Sequence, residues 1–151
     1  MAWTLLLAAG QGNRLASATG GLAKQFLDWK GAPLYWESAL VFSRCARVEG
    51  LVFVFPEACI DEERERVAGL MRNASLGIPW KVVAGGALRQ DSVRNGLSAL
   101  PDDCMEVLIH DAARPFVSPV LVNRILDGLH GEASGECVAA CIPGIPVVDT
   151  I

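Results

Sequence analysis

Residues 3–14 read WTLLLAAGQGNR. A continuous apolar run over Trp3 to Ala9 stops at a glycine turn. A strand that is apolar at every position, not every second one, is covered on both faces. The later segments repeat the pattern. Leu51–Phe55 (LVFVF, ended by Pro56), Trp80–Ala84 (WKVVA), Val107–Ile109 and Cys137–Ile142 all read as strands. Helical periods fall between them. Residues 60–72 place Ile60, Val67, Leu70 and Met71 on one stripe, with Glu62 and Arg66 as an i,i+4 pair on the wet side. Ser118-Pro119 is a helix start, serine as cap and proline at the first helical position. Leu121, Val122, Ile125, Leu126 and Leu129 form the apolar face that follows. Residues 33–46 and 91–100 are expected to be helical too, the second turning Val93, Leu97 and Leu100 inward. Strands alternating with helices predict an α/β fold, a Rossmann-like, mainly parallel sheet flanked by helices with right-handed crossovers.

The chain of 151 residues suits one domain, 1–151, with a proper core. Its net charge of −4 offers no basic field for a polyanion, so nucleic acid is not an expected partner. No apolar run approaches the ~20 residues of a membrane span, and the N-terminal LLLAA lacks the basic flank of a secretory leader. The five cysteines contain no CxxC and are accompanied by only two histidines, so free buried thiols in a cytoplasmic protein are expected.

In such sheets ligands sit beyond the carboxyl ends of the strands. Three polar motifs fall there. The first is the opening turn, whose backbone N–H groups at Ala8, Ala9, Gly10 and Gly12 can meet phosphate oxygens. A dinucleotide fingerprint would need glycine where Leu15 stands and an acidic residue where Phe55-Pro56 closes the second strand. A Walker A loop would need G-K-[S/T]. Neither fits. Arg14 and Lys24, spaced along the loop, point to a polyphosphate, against the bland reading of a structural turn.

The second motif, residues 85–96, reads GGALRQDSVRNG. Gly85 and Gly86 allow close backbone approach, and Arg89, Asp91 and Ser92 stand at a helix mouth. Asp91 can serve a ligand or cap that helix. The third, residues 110–115, reads HDAARP. Asp111 is placed to hold Mg²⁺ or another divalent cation, which takes one or two carboxylates beside phosphate oxygens. The alternative is a turn in which Asp111 pairs with Arg114. His110 reads as a base or, more simply, as a hydrogen-bonded residue ending the strand.

The motifs A-A-G-x-G-x-R with a following K-Q-F, then G-G-x-x-R-x-D-S-V, then H-D-A-A-R-P, resemble in order and spacing those of the 2-C-methyl-D-erythritol 4-phosphate cytidylyltransferases. The likeness runs on to P-V-V-D-T at 146–150. It implies a fold of the nucleotide-diphospho-sugar transferase type. It also implies transfer of CMP from CTP to methylerythritol phosphate with release of pyrophosphate, in non-mevalonate isoprenoid synthesis. By the same likeness the turn at 8–14 wraps the triphosphate, and Arg14 and Lys24 act at the α-phosphorus. Gly85, Gly86 and Ser92 contact cytosine and ribose, Ala112 and Ala113 line the ribose, and Asp111 holds the metal. Arg89, Asp91 and Arg114 support the site, and Thr150 reaches the acceptor, often across a homodimer interface.

Two departures from the family pattern stand out. Ala23 replaces the proline before the lysine, behind an extra Ala18-Thr-Gly-Gly21 stretch. The family pattern also continues past Ile151 through a dimerising arm, a second metal aspartate and another lysine. The expectation is an N-terminal portion truncated at the C-terminus, as from a fusion with the cyclodiphosphate synthase of the same pathway, that keeps most of the nucleotide half-site and turns over poorly. The alternatives are a ribitol 5-phosphate cytidylyltransferase, which shares these motifs, and a CTP-binding module without turnover.

Overall fold

The structure, a computed structural model, describes residues 1–10, 22–131, 135 and 138–144. Its strands are β1 (Ala2–Leu7), β2 (Asp28–Trp29), β3 (Ala32–Pro33), β4 (Val48–Phe55), β5 (Trp80–Ala84) and β6 (Glu106–Asp111). Its helices are α1 (Leu34–Ser43), α2 (Ile60–Asn73), α3 (Arg89–Leu97) and α4 (Pro119–Leu129), with short 3₁₀ turns at Lys24–Phe26 and Glu57–Cys59. The main sheet has the order β5-β4-β1-β6 and every pairing in it is parallel. β2 and β3 form a small separate antiparallel hairpin.

The strand order follows from the connections. The chain steps from β1 outward to β4 and β5, then α3 returns it to the other side of β1, where β6 pairs. Strand order therefore reverses beside β1, which is where an open parallel sheet leaves a crevice.

The uniform hydrophobicity of β1 and β4 is explained by their two covered faces. Trp3, Leu5 and Leu7 join Val52 and Val54 on the face that packs against Val93 of α3. Ala2 and Leu6 join Leu51, Phe53 and Phe55 on the face covered by α1, α2 and α4. On that side Tyr35 stands edge-on to Phe53 and Phe55, with ring centroids 6.0 and 5.0 Å away. Its hydroxyl donates to Glu63 Oε2 at 2.8 Å, a carboxylate that α2 carries inward and that Arg66 also meets at 3.1 Å. The Glu62–Arg66 pair forms on the exposed side at 3.8 Å. Ser118 caps α4 as its sequence predicts, its hydroxyl accepting from Leu121 N–H at 3.2 Å.

Three expectations are corrected. Leu97 is 41% exposed, because α3 ends there and Ala99 and Leu100 take the inward positions instead. Residues 138–142 form no strand. Val138 N–H bonds the Leu129 carbonyl at the end of α4, so this backbone is committed to the helix and not to a sheet ladder. Cys137 lies outside the described residues. Of the other cysteines, all free, only Cys45 is fully buried, while Cys59, Cys104 and Cys141 are half-buried. Among the described residues no helix is long and apolar enough to cross a membrane.

Candidate functional site

The carboxyl ends of β1 and β6 and the β5–α3 turn surround one cavity of about 400 Å³. Leu7, Ala9 and Gly10 line it from β1, Gly86 to Arg89 and Ser92 from the β5–α3 turn, Asp111, Ala113 and Arg114 from β6, and Gln25 from the 3₁₀ turn.

The sheet's hydrogen bonding carries on past the strand ends and holds these loops together. Ala8 N–H donates to Val54 O at 2.8 Å, Gly85 N–H to Phe55 O at 2.7 Å, and Ala112 N–H to Leu7 O at 3.0 Å. Gly85 is a close-approach position. A Cβ there would stand 2.4 Å from Ala9 Cβ and 2.8 Å from Ser92 Oγ. The Ser92 side chain is buried, accepting from Gly86 N–H at 3.1 Å and donating to Leu88 O at 3.3 Å. One hydroxyl lone pair is left over at the cavity wall.

The open readings of the polar residues now separate. Asp91 caps α3, accepting from Leu88 N–H at 3.1 Å, and also takes an Arg94 contact at 3.3 Å. Asp111 is held mainly by Arg89, with Arg114 Nε 3.9 Å from its other oxygen, so the expected Arg114 pairing is the lesser of two. His110 is the strand-ending structural residue. Its Nε2 lies 3.0 Å from the Arg114 carbonyl and 3.3 Å from Ser38 Oγ, and its ring stands edge-on to Phe42. A carbonyl only accepts, so Nε2 carries the proton. Burial depresses the imidazole's pKa below 6.5, more than the Arg114 carbonyl raises it, which favours the neutral ring.

Of the residues the sequence singled out, Ala9, Gly10, Gly86, Arg89, Ser92, Asp111, Ala113 and Arg114 converge on this cavity. Ala8, Gly85 and Ala112 do not line it. They pack immediately behind it, tied into the extended ladder. Asp91 acts as a cap at its edge. Lys24 lines the larger adjoining groove of about 1160 Å³, which Arg89 and Arg114 share. Gly12, Arg14 and Thr150 lie outside the described residues.

Sequence reasoning gave no role to Gln25, yet it is a buried polar residue at the cavity wall. Its position in K-Q-F, next to Lys24, was the available signal.

Among the described residues no group of three or more His, Cys, Asp or Glu side chains could cage a metal. Asp111 is a single partly exposed carboxylate beside the cavity. That suits a Mg²⁺ ion whose remaining ligands are water and phosphate, and not an all-protein site.

The sequence model of one family, "IspD: 2-C-methyl-D-erythritol 4-phosphate cytidylyltransferase", matches residues 2–151. The chain belongs to that cytidylyltransferase family. A relative in Nitratidesulfovibrio vulgaris, the bifunctional enzyme IspD/IspF, is 54% identical over 99% of this chain. The chain spans 36% of that relative's length, about a third. A relative in Solibacter usitatus, a 2-C-methyl-D-erythritol 4-phosphate cytidylyltransferase, is 36% identical over 97% of this chain and 58% of its own length. Among solved structures, a 4-diphosphocytidyl-2C-methyl-D-erythritol synthase aligns with a TM-score of 0.67 at 23% identity, over 99% of this chain and 61% of its own. The same synthase from Anaerococcus prevotii gives 0.66 at 22%, over 85% of this chain and 50% of its own. At that identity the structural likeness speaks for the cytidylyltransferase fold alone.

Proposed function

We propose that the chain, residues 1–151, is the nucleotide-binding part of an enzyme that transfers CMP from CTP to 2-C-methyl-D-erythritol 4-phosphate. The products are 4-diphosphocytidyl-2-C-methyl-D-erythritol and pyrophosphate. One observation carries the reading: three motifs separated in sequence line a single cavity at the reversal point of the sheet. Membership of the cytidylyltransferase family supports CTP and methylerythritol phosphate as the substrates.

In this reading an oxygen of the acceptor's phosphate attacks the α-phosphorus of CTP, and the bond from that phosphorus to the bridging oxygen of the β-phosphate breaks. No covalent enzyme intermediate is needed, so catalysis rests on positioning and charge stabilisation. The Ala9–Gly12 turn cradles the triphosphate, while Arg14 and Lys24 offset the charge that grows around the α-phosphorus. The β5–α3 turn receives cytosine and ribose at Gly86 and Ser92, with Gly85 allowing the turn to pack closely and Asp91 fixing its helix. Ala113 lines the ribose, with Ala112 behind it. Asp111, with Arg114 beside it and Arg89 as the counter-ion that a metal would displace, would hold a divalent cation. That ion would supply positive charge shared among the phosphate oxygens. Thr150 would reach the acceptor, the assembled enzyme is expected to be a homodimer, and the cytoplasm is its expected compartment.

The test is pyrophosphate release from CTP and Mg²⁺, with methylerythritol phosphate and ribitol 5-phosphate as rival acceptors. It is run on this chain and on a form extended with the rest of a relative's cytidylyltransferase domain. The extended form should use methylerythritol phosphate, and the 151-residue chain should turn over poorly. Preference for ribitol 5-phosphate would replace the acceptor. CTP binding without turnover on either acceptor would leave a binding module only.

A further inference from the structure

The loop after β1 has a polarity that its sequence does not explain. A peptide turn carries as many carbonyl oxygens as N–H groups, and a carbonyl facing the cavity would repel an anion. Both carbonyls that flank Ala9 in this turn, those of Ala8 and Gly10, are taken by one side chain. Gln25 Nε2 donates to each at 2.7 Å, and the residue is only 3% exposed. Two carbonyl acceptors identify the atom between them as the amide nitrogen and use both of its hydrogens. The N–H groups of Ala9 and Gly10 have no acceptor among the described residues, and both residues line the cavity. A Cβ on Gly10 would meet nothing within 4 Å among the described residues. The glycine leaves the backbone bare where a ligand can approach.

We infer that Gln25 is the positioning residue that turns the glycine loop into a phosphate cradle, by drawing its carbonyls back so that N–H groups face the cavity. The same 3₁₀ turn, Lys24–Phe26, carries Lys24, so the clamp also ties that cation's backbone to the loop. This inference rests on the reading of the cavity as a CTP site. Gln25 acts through the loop and touches no reacting atom.

Gln25→Met keeps the chain length and removes both donors. The experiment measures binding of CTP, of inorganic tripolyphosphate and of cytidine, each with Mg²⁺, alongside cooperative thermal unfolding of the same samples. Loss of one hydrogen bond's worth of positioning predicts CTP and tripolyphosphate affinities down roughly tenfold. Cytidine, held by the β5–α3 turn, should bind the variant as it binds the wild type. A parallel fall for cytidine, or a CTP affinity within about twofold of wild type, overturns the inference while leaving the CTP site standing. Wild-type protein that binds neither CTP nor tripolyphosphate overturns the site reading and the inference together. Gln25→Glu guards against a variant that does not fold. A protonated carboxyl restores one donor, so its tripolyphosphate affinity relative to wild type should rise from neutral pH toward about 5.5. A ratio that does not change with pH counts against the clamp.

Discussion

Arg89 places two N–H groups on one oxygen of Asp111: Nη2 lies 3.0 Å and Nε 3.2 Å from Oδ1. A residue from the start of α3 and one from the end of β6 thus meet across the mouth of the cavity, and the aspartate that suits a metal already has a counter-ion.

Two substitutions separate these roles. Asp111→Asn keeps the shape and removes the charge. Pyrophosphate release by the extended enzyme should fall by about 10²-fold or more, with the fold intact by circular dichroism. Arg89→Ala removes the competing cation. Because the pair is exposed and worth little, Mn²⁺ affinity without nucleotide should rise only about two- to fivefold, read by electron paramagnetic resonance of free Mn²⁺. A fall in that affinity would mean that Arg89 supports the metal site and does not compete with it.

Gly85→Ala would push a methyl into Ala9 Cβ and Ser92 Oγ, at 2.4 and 2.8 Å from the new atom. Neither neighbour is the free end of a long side chain, so backbone must shift. Urea unfolding should show a loss of about 1–3 kcal/mol. Unchanged stability would show that the β1 and β5 loops part at no cost.

Thr4 is fully buried in β1, and its Oγ1 has no hydrogen-bond partner among the described residues. Burying an unsatisfied hydroxyl is unfavourable, so Thr4→Val should raise stability by about 1 kcal/mol. Destabilisation in the same urea titration would reveal a partner that the hydroxyl finds in solution.

Glu63 makes stability depend on pH. Burial pushes its carboxyl above the ordinary 4.5 and Glu62 adds to that, while the Tyr35 hydroxyl and Arg66 pull it back. Its folded pKa is raised, so the folded chain binds its proton more tightly than the unfolded chain does. The stabilisation is complete below 4.5 and is lost as pH rises through the folded value. Glu63→Gln cannot titrate. Wild-type stability minus that of the variant should therefore decrease as pH rises above 4.5. A difference that is flat or grows with pH would remove burial as the governing influence.

Much of this was legible in the sequence. The apolar runs of β1, β4 and β5 are long enough to be strands and lack polar alternation, which placed them in a covered parallel sheet. The rule that ligands gather at strand ends then selected the loops after β1, β5 and β6. What was missed has a common cause. The expected strand over Cys137–Ile142 rested on an apolar run alone, and a strand also needs a neighbouring edge; Val138 is bonded to α4 instead. Leu97 was read as inward from the helical period, but it is the last residue of α3, and Ala99 and Leu100 beyond it take the inward positions. Nothing in the sequence singled out Glu63, and only the packing of α2 over Tyr35 brings it inside.

The sequence by itself determined the four strands of the main sheet with the helices between them, the motifs and the family, because these depend on local patterns and on residue spacing. Tertiary structure decided which polar groups are taken and which are left for a ligand. Gln25 reaches the carbonyls of Ala8 and Gly10, and Arg89 reaches Asp111, across 17, 15 and 22 residues of chain. A hydrogen bond depends on angstrom distances between atoms that only the folded sheet brings together. The glycine turn was therefore legible as a candidate phosphate loop, while the direction of the Ala8 and Gly10 carbonyls had to come from the fold.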